Sequence, residues 1–133
     1  MQIDLEKLNP GTWFDLDGGG RVCLRTCAGD DYRAIQAQAV ERKSEVVFDP
    51  KTRQPHRLVS EETDERLLSE LLWDFVIVDW SDLYDAKQQP IPCTREMKLL
   101  LMGRSPVFAA KINKFMEQLR LLDDQEAEGL EKN

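Results

Sequence analysis

Ten consecutive residues, LLWDFVIVDW at 71–80, carry eight large apolar side chains interrupted only by Asp74 and Asp79. A run this dense must be buried by folding, inserted into a bilayer, or covered by another protein. A helix that spans a bilayer needs about 20 predominantly apolar residues, so the block is too short and too charged for that role. A chain of 133 residues has the length of one domain with a real core. Burial is therefore the first expectation for the block.

Around it the pattern changes from strand-like to helical. TWFDL (12–16) and RVCLRTC (21–27) alternate in strand fashion, and Gly18-Gly19-Gly20 supplies the positive φ of a hairpin turn. Asp30 or Asp31 is the expected cap of a short helix over 32–42, with Tyr32, Ile35, Ala39 and Val40 on one face. SEVVF (44–48) and PHRLVS (55–60) flank the turn-rich DPKTRQ and predict a second hairpin. Ser60 is the expected cap of a helix over 60–80, with Glu61 and Glu62 at the positive end of its dipole. Val76-Ile77-Val78 alone favours a strand, but no turn residue precedes it, so the helix is carried through. After a loop, Thr94 caps a helix over 95–102. Ser105 and Pro106 then open a last helix whose stripe is Phe108, Ile112, Phe115, Leu119 and Leu122. The expected fold is α+β: small N-terminal antiparallel β-hairpins followed by a helical C-terminal half. It forms one domain over 1–122, with 44–60 as a mobile hairpin insertion and 123–133 as a disordered acidic tail.

Charge and cysteine usage exclude several functions. The net charge is −7, and the last eleven residues hold five acids and one lysine. A nucleic-acid backbone calls for a cationic stripe, which this sequence lacks. Three cysteines, an odd number, argue against a disulfide framework. Cys23 and Cys27 on one strand would sit about 13 Å apart, beyond the roughly 7 Å a bridge allows. Together with Cys93 and His56 they make no CxxC or HxxxH pair, so neither metal nor cofactor is expected. The N-terminus has no cationic and apolar leader pattern, and cytoplasmic residence is the expectation.

Asp15-Leu16-Asp17-Gly18 resembles the DxDG motif of haloacid-dehalogenase-like phosphatases, in which the first Asp attacks phosphorus and the second is acid and base. Here Pro-Gly-Thr-Trp-Phe precedes Asp15 where that family has a buried parallel strand, and Gly19 replaces its Thr. A polar hairpin turn is the expected role, and a phosphatase using Asp15 and Asp17 stands as the enzymatic alternative. No GxSxG, GxxxxGK[ST] or GxGxxG occurs, and the single histidine lies in a polar turn. The remaining concentration of large side chains is aromatic: Trp73, Phe75, Trp80, Tyr84, Phe108 and Phe115. Most of these belong to a core, and the flank left over predicts a groove between helices 61–80 and 106–122 for a partner's amphipathic helix.

Residues 75–101 carry a further pattern. It runs Val76-Ile77-Val78-Asp79-Trp80, then Ser81-Asp82-Leu83, Pro90-Ile91-Pro92-Cys93-Thr94 and Lys98-Leu99-Leu100-Leu101, followed by SPVFAAKINKFMEQL (105–119). This resembles the family of small phage and prophage tail assembly chaperones and related tail-region proteins, as does the Gly-turned strand pair from Trp13 to Arg25. Lys87-Gln88-Gln89 and Cys93 stand where such proteins often carry Gly and Phe, and 44–60 is an insertion. The resemblance implies no enzyme activity. It implies a protein of the bacterial host cytoplasm that binds the long helical tape-measure protein during tail morphogenesis. A minor tail or head–tail connector protein is the structural alternative.

Overall fold

A computed structural model describes residues 1–3 and 8–131. Its elements run β1 (Thr12–Asp15), β2 (Arg21–Leu24), α1 (Asp30–Gln38), β3 (Val40–Phe48), β4 (Pro55–Thr63), α2 (Glu65–Val76), β5 (Ile77–Ser81), α3 (Arg95–Arg104) and α4 (Pro106–Glu131). The fold is α+β, as expected: two antiparallel sheets and a helical C-terminal half. The chain divides into two compact units. Residues 1–27 and 73–133 form the first, and residues 28–72 the second, where the sequence suggests a single domain over 1–122.

In the first unit the sheet order is β1-β2-β5. The β1–β2 turn closes with the Leu16 amide donating to the Gly20 carbonyl at 2.7 Å, and Gly18 and Gly19 take φ of 90° and 98°. These are values an L side chain resists, which is why the turn is glycine. β2 is central, and both of its faces are covered: Val22 and Leu24 point one way and Cys23 the other, and all three are buried. Val22, Leu24, Ile77 and Ile112 are fully buried, so the core lies between the β2–β5 pair and α4. Across from it, Gly11 lies so close to Cys23 that a Cβ would stand 2.5 Å from the sulfur.

The apolar block does not continue as helix to residue 80. α2 stops at Val76 and β5 begins at the next residue, pairing antiparallel with β2 through Val22↔Trp80 and Cys23↔Asp79. The β-branched run 76–78 follows its intrinsic preference once a partner strand exists. No turn is needed because three consecutive carbonyls of the last helical turn find donors elsewhere. The Lys98 ammonium donates to the Asp74 carbonyl at 3.1 Å and to its carboxylate at 3.3 Å. Arg25 donates its side-chain Nε to the Phe75 carbonyl at 2.8 Å and its backbone amide to the Val76 carbonyl at 3.0 Å. Its guanidinium also lies 3.8 Å from the centre of the Phe75 ring. Two cations thus sit at the negative end of the helix dipole and satisfy groups that burial would otherwise orphan.

Other boundaries also move. Ser60 is not the cap of α2, because residues 60–63 complete β4. Asp64 takes that role, its carboxylate accepting from the Leu67 amide at 3.1 Å. α1 starts after Gly29 with no side-chain cap, so Asp30 and Asp31 lie inside its first turn. It ends at Gln38, and residues 40–42 join β3, where Arg42 pairs with Glu61 across the ribbon at 3.4 Å. The expected disordered tail is instead helical through Glu131, with 132–133 outside the described residues. Glu, Gln, Ala and Leu there favour helix, and the Thr26 hydroxyl donates to Asp123 at 3.1 Å.

Removing the Arg25 cap leaves the Phe75 carbonyl without its donor and takes away the cation over the ring. Arg25→Ala is expected to cost about 2–3 kcal/mol, the scale of a hydrogen bond to a charged group. Arg25→Lys should recover only part, since an ammonium lacks the planar geometry. Urea unfolding followed by tryptophan fluorescence measures both. An unchanged midpoint for Arg25→Ala would mean that water serves the helix end equally well.

Candidate partner-binding site

The six aromatic residues singled out in the sequence separate by burial. Trp80 is 6 % exposed. Its indole N–H donates to the Ile91 carbonyl at 2.7 Å, and Phe108 packs edge-on against it with ring centres 6.0 Å apart. This is the anchor that holds the loop after β5 against the helices. Phe115 stacks on Phe14 at 4.8 Å, joining α4 to β1. Trp73, Phe75, Phe108 and Phe115 are half-buried and packed against the core. Only Tyr84, at 57 % exposure, stands out in solvent. Five of the six are therefore part of the core of the first unit or packed against it.

The loop from β5 to α3 is built around Asp85. Its carboxylate accepts from the amides of Lys87 at 2.8 Å and Gln89 at 3.0 Å, while the Asp85 amide donates to the Gln89 carbonyl at 2.9 Å. Tyr84 then bridges to Pro90, and the Ile91 amide donates to Leu83 at 2.8 Å. Inside this small turn Gln88 has φ 60°, the left-handed region that glycine enters without steric cost. α3 follows, capped by the Thr94 hydroxyl accepting from the Met97 amide at 3.3 Å. Beyond the loop, Leu100 in α3 and Val107 in the first turn of α4 are exposed. With Tyr84 they are apolar side chains this region leaves to solvent.

The carboxylates of the DxDG stretch do not converge. Asp15 pairs with Arg21 at 3.2 Å and Asp17 with Lys111 at 3.2 Å, and both are exposed. β1, which leads into them, is paired antiparallel with β2, whereas the phosphatase motif follows a buried parallel strand. Among the described residues no group of three His, Cys, Asp or Glu side chains is placed to hold a metal. Burial pushes the thiols of Cys23 and Cys93 above the ordinary thiol range, which favours the unreactive protonated form. Asp79 adds to the rise at both, while Arg25 opposes it at Cys23 and Lys98 opposes it at Cys93.

The second unit holds a surface the sequence reading did not single out. β3 and β4 form a ribbon of nine paired positions, from Val40↔Thr63 to Phe48↔Pro55. Its side chains are exposed on both faces, Phe48 and Val46 by about two thirds. Near its base, Arg42–Glu61 and Lys43–Glu62 pair across the strands. At the tip, Asp49 accepts from the amides of Lys51 and Thr52, which holds its carboxyl below the usual range; His56 adds to this. The signal for this surface was present in the sequence, as apolar strands on either side of a basic turn. Its exposure on both faces was not.

No family model matches the chain, and no curated protein or solved structure matches it either. Gln88 offers a local test of the loop geometry. Gln88→Gly should stabilise the chain by about 0.5–1 kcal/mol, because glycine removes the left-handed penalty and returns part of it as backbone entropy. Thermal unfolding of the two chains decides this; a lower midpoint for the glycine variant would place Gln88 outside the left-handed region.

Proposed function

We propose that this chain is a phage or prophage tail assembly chaperone-like protein that binds a helical segment of a tape-measure protein and performs no chemistry on it. The resemblance of residues 75–101 motivates this reading. The observation that carries it is that those residues form one braced frame of β5, the Asp85 loop and α3, with Tyr84 and Leu100 left outside. Val107 adds an exposed side chain within one turn of the corner between α3 and α4.

The partner surface is then these exposed residues, with the buried aromatics setting their positions. An amphipathic helix laid across them gains about 25 cal/mol for each Å² of apolar surface covered. Ordering the segment offsets much of that gain, so affinity on the order of micromolar is expected. Apolar contact should make binding only weakly dependent on salt. No helix among the described residues is long and apolar enough to cross a membrane, and in this reading the protein acts in the bacterial host cytoplasm.

Co-expression with a tape-measure protein tests the proposal. The wild-type chain should raise that protein's soluble fraction. Leu100→Asp and Val107→Asp should abolish the gain while leaving the melting midpoint within about 0.5 kcal/mol of wild type, as surface changes do. If solubility is unaffected and the chain instead co-purifies with finished particles, it is a structural tail or connector component.

A further inference from the structure

The ribbon described above has two unlike ends. Directly paired residues of an antiparallel ribbon share a face, so Val46, Phe48, Arg57 and Val59 lie together on one side, with Pro55 opposite Phe48. All are exposed. Whereas Arg42 and Lys43 at the base are neutralised by Glu61 and Glu62, Lys51, Arg53 and Arg57 make no ion pair among the described residues. The outer half is thus an apolar face ringed by unpaired cations, on a chain whose net charge is −7.

The same chain exposes a surface of opposite character. On α4, Ile112, Phe115 and Leu119 face the core, and helical spacing sets Leu121 on the far side. Leu121 is 59 % exposed. Glu117, Asp124 and Glu128 fall four, three and seven residues from it on the same face, with one cation, Lys114, seven residues before it, and all four are exposed. An apolar centre on a face of net negative charge, three acids to one cation, therefore complements an apolar face ringed by cations.

We propose that the β3–β4 ribbon of one copy docks on the solvent face of α4 of a second copy, Arg57 and its neighbours meeting Glu117, Asp124 and Glu128 around Phe48 and Leu121. Other occupants suit the ribbon less well. The apolar residues lie along the strands behind a polar tip, the reverse of the order needed to enter a bilayer. Exposed Val46, Phe48 and Val59 gain nothing from a nucleic-acid backbone. Because the two surfaces differ, the contact closes a two-fold dimer where it is reciprocated and otherwise repeats into rings or open chains of subunits. The proposal does not depend on the tail-chaperone reading, which uses Tyr84, Leu100 and Val107 and predicts contact only weakly dependent on salt.

The test is a charge exchange on the full chain, read by sedimentation velocity. Wild type should increase in mass with concentration at low ionic strength and dissociate as salt is added. One variant carries Lys51→Glu, Arg53→Glu and Arg57→Glu; another carries Glu117→Lys, Asp124→Lys and Glu128→Lys. Each alone should remain monomeric, since its two surfaces then bear the same sign, and circular dichroism should confirm that each is folded. Mixed, they should associate again, because each reversed surface finds its complement on the other variant. A variant that fails to fold is replaced by its single-site counterpart, Arg57→Glu or Asp124→Lys, with the same expectation at smaller amplitude. The proposal is overturned if wild type stays monomeric at low salt, which leaves the ribbon to a different protein. It is equally overturned if reversal leaves self-association unchanged, or if mixing fails to restore it.

Discussion

The capping of α2 by Arg25 and Lys98 is the contact on which the rest of the first unit depends. A helix that ends inside a protein leaves its last carbonyls without intrahelical donors. Many helices turn away at that point through a glycine, and this one does not, because Ile77 enters the sheet at once. The donors come from two distant places, the residue after β2 and the first turns of α3. β2, α2 and α3 are thereby tied at one point. Lys98 is itself buried, and its neighbour is the Asp74 carboxylate, so the charge is not left uncompensated. The apolar block can then serve as helix and as strand without a break.

The switch from helix to strand also decides what the aromatic residues do. In β5, Trp80 lies opposite Val22 in the core, with its N–H reaching Ile91. Had the helix run on to residue 80, Trp80 would have no place opposite Val22 in the sheet. Its burial and its hydrogen bond to Ile91 tie the end of the loop 82–91 to the core, and Tyr84 is exposed on that loop. Any partner surface near this loop is defined by what the core leaves out.

Charge is distributed with the same economy. The base of the ribbon is neutralised across the strands, the tip is basic, and the outer face of α4 is acidic. An isolated two-stranded ribbon has marginal stability of its own, and this one carries exposed apolar side chains on both faces. Surfaces of this kind are covered in assemblies, and opposite signs on one chain favour assembly with itself. Apolar binding at the α3–α4 corner would use the first unit, and charge-guided contact through the ribbon would use the second.

Local signals carried much of the architecture. The glycine turn between β1 and β2, the Thr94 cap of α3, the Ser105-Pro106 start of α4 and the apolar stripe of α4 from Phe108 to Leu119 all depend on residues within a few positions of one another and are legible in the sequence, whereas Leu122, expected on that stripe, is exposed. The hairpin after α1 was also legible, although its strands run to residues 40 and 63. What the sequence could not decide was the state of residues 77–80, since a β-branched run reads equally well as the end of an amphipathic helix. Its strand state depends on pairing with β2, more than fifty residues earlier, and on the two cations that close α2. The same dependence hid the fate of the aromatic set. Composition marks Trp80 and Tyr84 as equally apt for a core or an interface, and only tertiary contacts put one at the centre of packing and leave the other in water.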